Sequence, residues 1–403
     1  MRPIHGGVGA PLGFKASGLH CGIKRSKKKD LALIVSERLC DAAGTFTTNK
    51  VQASCVVVNK DHLRNGKAQA VIANSGNANC MTGDSGFENT RSMALAVSRL
   101  LGLKKKNVLV ASTGVIGKPL PIKKILGAVP QLVNELDRKG SEAAAYAILT
   151  TDRTPKEIAM EFRVGRRRVR VGAIAKGAGM IHPEMALSAT MLCFVTTDAL
   201  IASSALRDAL DRASQRTFNT ITIDGDMSTN DMVLVLANGM AQNKRIVEKT
   251  KDFHVFTRVL ETMFLALAKQ MIRDAEGATK FVEISVKNAA SREDARLVAK
   301  SVARSNLVKC ALFGEDPNWG RIAAAAGYSG AHVDPWKLTI HLGKEPVLRN
   351  GGRVKQKATS LNRVFAQKNI RIAVDLGLGK FNATVYTCDL STNYVRINSA
   401  YRT

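Results

Sequence analysis

Two segments of the chain place threonine hydroxyls where apolar stretches end or begin. Ser112-Thr113-Gly114 follows the apolar stretch 107–111 (NVLVA), and Ala189-Thr190 opens the apolar stretch 190–196 (TMLCFVT). A hydroxyl next to a main-chain N–H offers donors to a developing oxyanion, and a threonine hydroxyl beside a base can act as a nucleophile. From the residues alone, a turn at Thr113 and an ordinary strand start at Thr190 are the simpler explanations.

The elements that would position these residues follow an α/β pattern. Apolar periodicity and turn residues predict strands at 31–35, 53–58, 68–73, 107–111, 190–196, 280–286, 336–342 and 370–375, and one hairpin arm at 163–171. They predict helices at 90–101, 200–216, 256–272 and 294–305, and a helical stretch at 125–149 that Pro130 and Gly140 interrupt. Small residues and turn formers make 74–83 a loop and 225–231 (GDMSTND) a turn. The alternation of helices and strands indicates a layered α/β architecture.

Composition indicates an ordinary globular protein of a reducing compartment. The 403 residues suffice for two or three domains, with 45% hydrophobic and 23% charged residues. Seven cysteines are scattered without a C-x-x-C pair, which argues against a zinc site and against a secreted disulfide framework. The seven histidines are equally dispersed, so neighbours in sequence cannot build a metal centre. No stretch approaches the ~20 apolar residues of a membrane span, and we expect a cytoplasmic protein.

The net charge of +27 raises the alternative of a nucleic-acid-binding protein. This charge lies in three short runs, 24–29 (KRSKKK), 104–106 and 166–170, and in scattered residues, while aromatic residues make up only 5%. No helix-turn-helix, zinc-finger or RNA-binding fingerprint accompanies the runs. We therefore interpret them as solvated loops and faces, and we expect no specific nucleic-acid partner.

Eleven segments of unusual composition occur in the same order in one known family. They are GFKASGLHCGIK (13–24), FTTNKVQA (46–53), IANSGNAN (72–79), ASTGVIGKPLP (111–121), LTTDRTPKE (149–157), IAKGAGMIHP (174–183), ATMLCFVTTDA (189–199), IDGDMSTND (223–231), AEGATKF (275–281), FGEDPNWGRI (313–322) and YVRINSAYRT (394–403). In these segments the chain resembles the bifunctional ornithine acetyltransferase / N-acetylglutamate synthase (ArgJ) family, over nearly its whole length.

The resemblance implies that the chain cuts itself before Thr190. The family's cleavage pattern resembles KGxGMIxPxMATML, which maps onto Ala189-Thr190 and divides the chain into an α chain, 1–189, and a β chain, 190–403. Three residues absent from that pattern, Leu187-Ser188-Ala189, stand before Thr190 here. Once freed, the α-amino group of Thr190, with an unperturbed pKa of about 7.7–8.0, can serve as the base for its own Oγ.

The resemblance also implies the remaining site residues and the reaction. The Thr113 hydroxyl and the Gly114 N–H would stabilise the oxyanion. The substrate-binding residues would be Thr150, Lys176, Thr190, Glu276, Asn398 and Thr403. A lysine suits a substrate carboxylate and a glutamate suits a cationic amine. The implied reaction is acetyl transfer from N2-acetyl-L-ornithine to L-glutamate through an acetyl-threonine. No metal or bound cofactor is expected, and the sequence leaves open whether acetyl-CoA is a further acetyl donor.

The fold implied is an α/β layered αββα sandwich of the ornithine acetyltransferase (DmpA/ArgJ-like) type with a smaller C-terminal lobe. The active site would form between the α and β chains, and the assembly would be a heterotetramer of two copies of each. One alternative shares the nucleophile. An N-terminal-nucleophile amidohydrolase or aminopeptidase would pass the acyl group to water instead of to glutamate.

Overall fold

The computed structural model describes residues 1–182 and 191–400, which form two compact units. Unit 1 contains residues 1–182, 191–219 and 227–271, and unit 2 contains residues 220–226 and 272–400. Each unit has its own β-sheet with helices packed against it. The predicted α/β class with a smaller C-terminal lobe is therefore confirmed, and unit 2 is that lobe.

Among the described residues, the sheet of unit 1 contains nine strands. They are β1 (Arg2–Ile4), β2 (Phe14–Leu19), β3 (Leu31–Phe46), β4 (Lys67–Asn77), β5 (Val108–Val115), β6 (Lys156–Val164), β7 (Arg167–Lys176), β8 (Leu192–Thr197) and β9 (Met232–Ala237). Their order is β1-β6-β7-β8-β9-β3-β4-β5, and β2 pairs with β3. The long strand β3 changes partner along its length, since 31–41 pair with β4 and 41–46 pair with β9.

The middle of this sheet joins the sequence before and after the predicted cut. Strands β8 (LCFVTT) and β9 (MVLVLA) are buried along their whole length, as continuous apolar sequences between neighbouring strands require. β8 pairs antiparallel with β7 and parallel with β9, and this register places Leu192 between Lys176 and Met232. Because β7 precedes residue 189 and β8 follows residue 190, the two predicted chains share one hydrogen-bonded sheet.

The observed elements of unit 1 correct three details predicted from the sequence. Its helices are α1 (Ser54–His62), α2 (Gly83–Leu101), α3 (Ile122–Asn134), α4 (Ser141–Ala147), α5 (Ser203–Arg216) and α6 (Lys251–Arg273), and α6 ends in unit 2. Short 3-10 segments lie at Gly7–Gly9, Leu63–Asn65, Lys105–Asn107 and Phe218–Thr220. The predicted strand at 53–58 is wrong, because this stretch begins α1. The hairpin arm at 163–171 contains the turn between β6 and β7, and the loop predicted at 74–83 begins only after β4 ends at Asn77.

Tertiary contacts explain why 53–58 is a helix. Cys55, Val56 and Asn59 are buried while Val57 is exposed, which is one helical face and not the alternation of a strand. The Asn59 amide also bonds both the carbonyl and the N–H of Val110 in β5, at 2.8 and 2.9 Å. Of the helices in the described part of the chain, none has the length and apolar character needed to cross a membrane.

Unit 2 is built on a six-stranded sheet. Its elements are β10 (Phe281–Ala289), α7 (Arg292–Arg304), α8 (Asn306–Phe313), α9 (Trp319–Gly327), β11 (Thr339–Leu342), β12 (Glu345–Arg349), β13 (Gly352–Arg353), α10 (Ala358–Phe365), β14 (Asn369–Asp375), β15 (Phe381–Cys388) and α11 (Thr392–Ala400). The strand order is β13-β12-β11-β14-β10-β15. Helix α7 is capped by the Ser291 side chain, which accepts from Asp294 N, and it buries Val298 and Val302 in the core of this sheet.

Candidate active site

Thr113 and Gly114 lie at the end of β5, and only glycine fits at position 114. Gly114 has φ +132°, and a Cβ there would overlap the main chain of Gly76 and Asn77 in the neighbouring strand β4. The β4–β5 pairing is irregular at this point, because Asn77 faces both Thr113 and Val115. The strand end therefore has a specialised backbone conformation next to the buried Thr113.

Buried asparagine side chains hold this strand end in place. Ser112 Oγ donates to Asn74 Oδ1 at 2.7 Å, and Asn74 Nδ2 donates to Asn77 O at 2.9 Å. Asn230 Nδ2 donates to Ser112 O at 2.8 Å and to Ala78 O at 2.6 Å. These amides satisfy main-chain carbonyls that leave the regular ladder, so the turn is preorganised. The sequence had indicated only a loop and a turn for the segments that carry them.

Lys176 and Thr113 are brought together as a buried hydrogen-bonded pair. Lys176 Nζ donates to Thr113 Oγ1 at 3.2 Å, although 63 residues separate them in sequence. An ammonium group has donors only, so the Thr113 oxygen must accept this bond. The Thr113 O–H is then left to donate to another acceptor, as an oxyanion-stabilising hydroxyl must.

Asp152, which the sequence analysis did not single out, connects the predicted substrate-binding residues of unit 1. Its Oδ1 accepts from Gly177 N and from Lys156 Nζ, both at 2.7 Å, and its Oδ2 accepts from Thr150 N at 3.3 Å. Burial alone would raise the pKa of this carboxyl, but the ammonium groups of Lys176 and Lys156, together with the Gly177 N–H, hold it below its ordinary value. A buried carboxylate therefore fixes the segments of Thr150 and Lys176 together. Only the segment LTTDRTPKE, which contains Asp152 and Lys156, offered a signal for it.

We expect Asp152→Ala to lower the free energy of unfolding by about 3–5 kcal/mol, because the Lys156 ammonium, only 1% exposed, loses its carboxylate. Urea unfolding followed by circular dichroism measures this change. Glu161→Ala is the matched control, since its partners Arg2 and Arg170 are 66% and 33% exposed and can return to water. Equal losses in the two variants would contradict the structural role assigned to Asp152.

Lys24 departs from the solvated run predicted at 24–29. The other residues of that run are exposed, but Lys24 is half-buried and its Nζ donates to Leu149 O at 2.7 Å and to Lys29 O at 2.8 Å. Its Cγ lies 3.2 Å from where a Cβ on Gly76 would be. Burial, aided by Lys176 and Lys28 and opposed by Asp30 and Asp152, lowers the pKa of Lys24 to about 8. The interpretation as a solvated loop is therefore wrong for this one lysine.

The predicted cleavage point, Ala189-Thr190, lies outside the described residues. The description resumes at Met191, which is buried and whose carbonyl accepts from Met232 N at 2.8 Å. A Cβ on Gly177 would lie 3.7 Å from Met191 Cβ. The residue that follows Thr190 in sequence is therefore a neighbour of the residue that follows Lys176.

In unit 2, the structure brings together Glu276 and Asn398. Asn398, on the exposed face of α11, donates from Nδ2 to Glu276 Oε2 at 2.8 Å. The start of α11 is held by Tyr394, whose hydroxyl donates to Asp224 Oδ2 at 3.1 Å, and burial together with that carboxylate raises the pKa of Tyr394. Thr403, the third residue predicted for this part of the site, lies outside the described residues.

Comparison with known proteins decides the family. The model of the ArgJ family matches residues 15–403. The chain belongs to the ArgJ family. It is 47% identical to the arginine biosynthesis bifunctional protein ArgJ of Caldanaerobacter subterraneus subsp. tengcongensis, and the alignment covers 100% of both chains. The predicted glutamate N-acetyltransferase of arginine biosynthesis is confirmed. The enzyme is bifunctional and also has the amino-acid acetyltransferase activity that the sequence had left open.

One solved structure of an ArgJ protein agrees with this assignment. The crystal structure of ArgJ from Bacillus halodurans is 41% identical, with a TM-score of 0.50, and the match covers 52% of this chain and 98% of that chain. This similarity confirms the predicted fold type. The ornithine acetyltransferase of Mycobacterium tuberculosis, solved in complex with ornithine, is 40% identical with a TM-score of 0.43, covering 46% of this chain and 99% of that one.

Proposed function

We propose that the chain transfers the acetyl group of N2-acetyl-L-ornithine to L-glutamate through an acetyl ester on Thr190. The observation that supports this mechanism best is the buried hydrogen bond from Lys176 to Thr113. Lys176 pairs directly with Leu192, the first residue of β8. This bond leaves a hydroxyl donor and a cation beside the segment that follows the proposed nucleophile. The family assignment supports the reaction, and the site geometry supports the roles of these residues.

Maturation in this proposal begins with the Thr190 hydroxyl. Its Oγ attacks the carbonyl carbon of Ala189, the peptide C–N bond breaks, and water hydrolyses the resulting ester to leave a free α-amino group on Thr190. The sheet of unit 1 favours continued association of the two chains after cleavage, because β8 and β9 of the second chain are hydrogen-bonded between β7 and β3 of the first. The two chains would stay associated through strand pairing.

Acetyl transfer then proceeds in two half-reactions. The α-amino group of Thr190 accepts the Oγ proton while Oγ attacks the acetyl carbonyl of N-acetylornithine. The Thr113 O–H and the Gly114 N–H donate to the oxyanion. The C–N bond breaks, the proton passes to the leaving amine, and ornithine departs. The neutral amino group of glutamate attacks the acetyl-threonine ester in turn, giving N-acetylglutamate and regenerating Thr190.

Charge complementarity supports the proposed substrate contacts. Lys176 is buried, and its ammonium group suits a substrate α-carboxylate. Thr150 N donates to Asp152, the carboxylate whose pKa Lys176 lowers. Glu276, oriented by Asn398, suits the side-chain ammonium of N-acetylornithine. Thr403 is proposed to complete this set. We further propose a cytoplasmic heterotetramer of two α and two β chains, and acetyl-CoA as the donor for the amino-acid acetyltransferase activity.

The experiment that tests the proposed function is an ornithine-release assay with and without glutamate. We expect sustained ornithine release only when glutamate is present, with one N-acetylglutamate formed for each ornithine. Sustained release of ornithine and acetate at the same rate without glutamate would instead support the amidohydrolase alternative.

We expect Asn398→Ala to raise KM for N-acetylornithine about tenfold while kcat changes little. Its Nδ2 no longer fixes the Glu276 carboxylate, and a hydrogen bond to a charged group contributes about 1.5 kcal/mol or more. Steady-state kinetics of ornithine formation measure the effect. Asn362→Ala removes another exposed asparagine of unit 2 and should leave KM unchanged. Equal KM values for the two variants would remove Asn398 from the proposed substrate site.

A further inference from the structure

The two substrates of the proposed transfer make opposite demands on the protein. Both carry an α-carboxylate, but the side chain of N-acetylornithine ends in an ammonium group and that of glutamate ends in a carboxylate. Lys176 and Glu276 are proposed for the α-carboxylate and the ammonium group. The second carboxylate of glutamate therefore calls for a further cation near the oxyanion turn.

Lys24 lies where such a cation would be needed. Its side chain crosses over Gly76, which faces Gly114 across the β4–β5 pairing. Its ammonium group is bonded to the carbonyl of Leu149, the residue that precedes Thr150. Its charge also interacts with those of Asp30, Lys176 and Asp152. One lysine is thus adjacent to the segments of the oxyanion donor and of two proposed substrate-binding residues.

The hydrogen bonds of Lys24 leave it able to bind an anion. An ammonium group has three N–H donors, and two of them go to the carbonyls of Leu149 and Lys29. Within residues 1–182 and 191–400, no carboxylate lies within 4.0 Å of Lys24 Nζ, so the charge has no ion-pair partner there. The lowered pKa of about 8 reflects an ammonium that burial disfavours, and a carboxylate ligand would offset that cost.

The loop that carries Lys24 is held in its conformation independently of any ligand. The Asp30 carboxylate, fully buried, accepts from the N–H groups of Cys21, Ile23 and Lys24 at 2.6, 2.8 and 2.9 Å. Lys29 Nζ donates to Gly18 O at 2.6 Å. A cation on a loop with this many internal bonds loses little entropy when it binds.

We infer that Lys24 determines the specificity for the acetyl acceptor by binding the side-chain carboxylate of glutamate. This inference rests on the proposed function, because it assigns the acceptor half-reaction to the site around Thr113. It adds a residue that neither the sequence motifs nor the family resemblance had placed in the substrate site.

Glutamine tests the inference, because its side-chain amide matches the shape of the glutamate carboxylate without the charge. We expect Lys24→Met to lower kcat/KM for glutamate about 10- to 100-fold and to leave kcat/KM for glutamine within about twofold. The preference for glutamate over glutamine should fall by the same factor. The single-turnover burst of ornithine from N-acetylornithine, measured without acceptor, should be unchanged. Lys24→Gln, which can still donate to Leu149 O, should show the same loss of preference and replaces the methionine variant should that one not fold.

The matched control is Lys124→Met. It removes an exposed lysine whose Nζ donates to Gly22 O of the same loop at 2.8 Å, and it should leave the preference for glutamate unchanged. Equal losses with glutamate and glutamine, an unchanged preference in both Lys24 variants, or an equal change in Lys124→Met would overturn the inference. Absence of an ornithine burst in the unsubstituted protein would refute the acetyl-threonine scheme, whereas the preference measured at steady state would still decide the role of Lys24.

Discussion

Thr190→Ala is expected to remain a single uncut chain with no measurable acetyl transfer. Alanine has no hydroxyl, so neither the attack on the Ala189 carbonyl nor the acetyl-threonine ester can form. The unsubstituted protein should give two bands on a denaturing gel, the second beginning Thr-Met-Leu-Cys on N-terminal sequencing. Thr190→Ser keeps a hydroxyl and should be cut more slowly. Ornithine formation measured on the same samples links cleavage to activity.

The insertion before Thr190 supplies the control. Ser188 also carries a hydroxyl and lies two residues upstream, within the three residues that the family's cleavage pattern lacks. Ser188→Ala should therefore be cut and active like the unsubstituted chain. An intact, fully active single chain would exclude the proposed mechanism, and loss of cleavage in Ser188→Ala but not in Thr190→Ala would move the cut to Ser188.

Thr113→Ala is expected to lower kcat about 10²- to 10³-fold with little change in KM. Removing one oxyanion donor typically costs about 2.7–4 kcal/mol, and the donor acts on the transition state and not on the bound substrate. The bond from Lys176 Nζ to Thr113 Oγ1 at 3.2 Å is the structural basis, because it leaves the Thr113 O–H to donate. Steady-state kinetics at saturating glutamate, performed on chains already cut before Thr190, measure the effect.

Two further variants separate this role from a loss of packing. Thr113→Ser keeps the hydroxyl and should retain most of kcat. Thr257→Ala removes another buried threonine hydroxyl, which donates to Phe253 O at 2.9 Å within α6, and should leave kcat unchanged. A Thr113→Ala variant whose KM rises while kcat is preserved would assign Thr113 to substrate binding instead.

Much of the fold followed from local sequence patterns. The stretch predicted as a buried strand at 190–196 contains most of β8, because a short continuous apolar run is visible in the sequence. The amphipathic helix predicted at 256–272 is part of α6, because its 3.6-residue periodicity is also visible without tertiary contacts. The stretch 53–58 shows the limit. Its β-branched residues favour a strand, but burial of Cys55, Val56 and Asn59 on one side, with Asn59 bonded to Val110, favours the helix.

By itself the sequence determined the family and the acetyltransferase activity, because eleven ordered segments with distinctive residues extend over nearly the whole chain. It identified Thr113, Gly114, Thr150 and Lys176 as candidates. The structure places Thr113 and Gly114 at the end of β5, Lys176 at the end of β7 and Thr150 in the loop before β6. Which charges belong to this cluster was decided only by the tertiary structure. Among 60 lysines and arginines, Lys24 and Lys156 stand in segments that match the family, but nothing in the sequence shows that their side chains are buried. The roles of the two lysines follow from their burial and their hydrogen-bond partners. Asp152 has a structural role because the fold brings Lys156, Gly177 and Thr150 around its carboxylate.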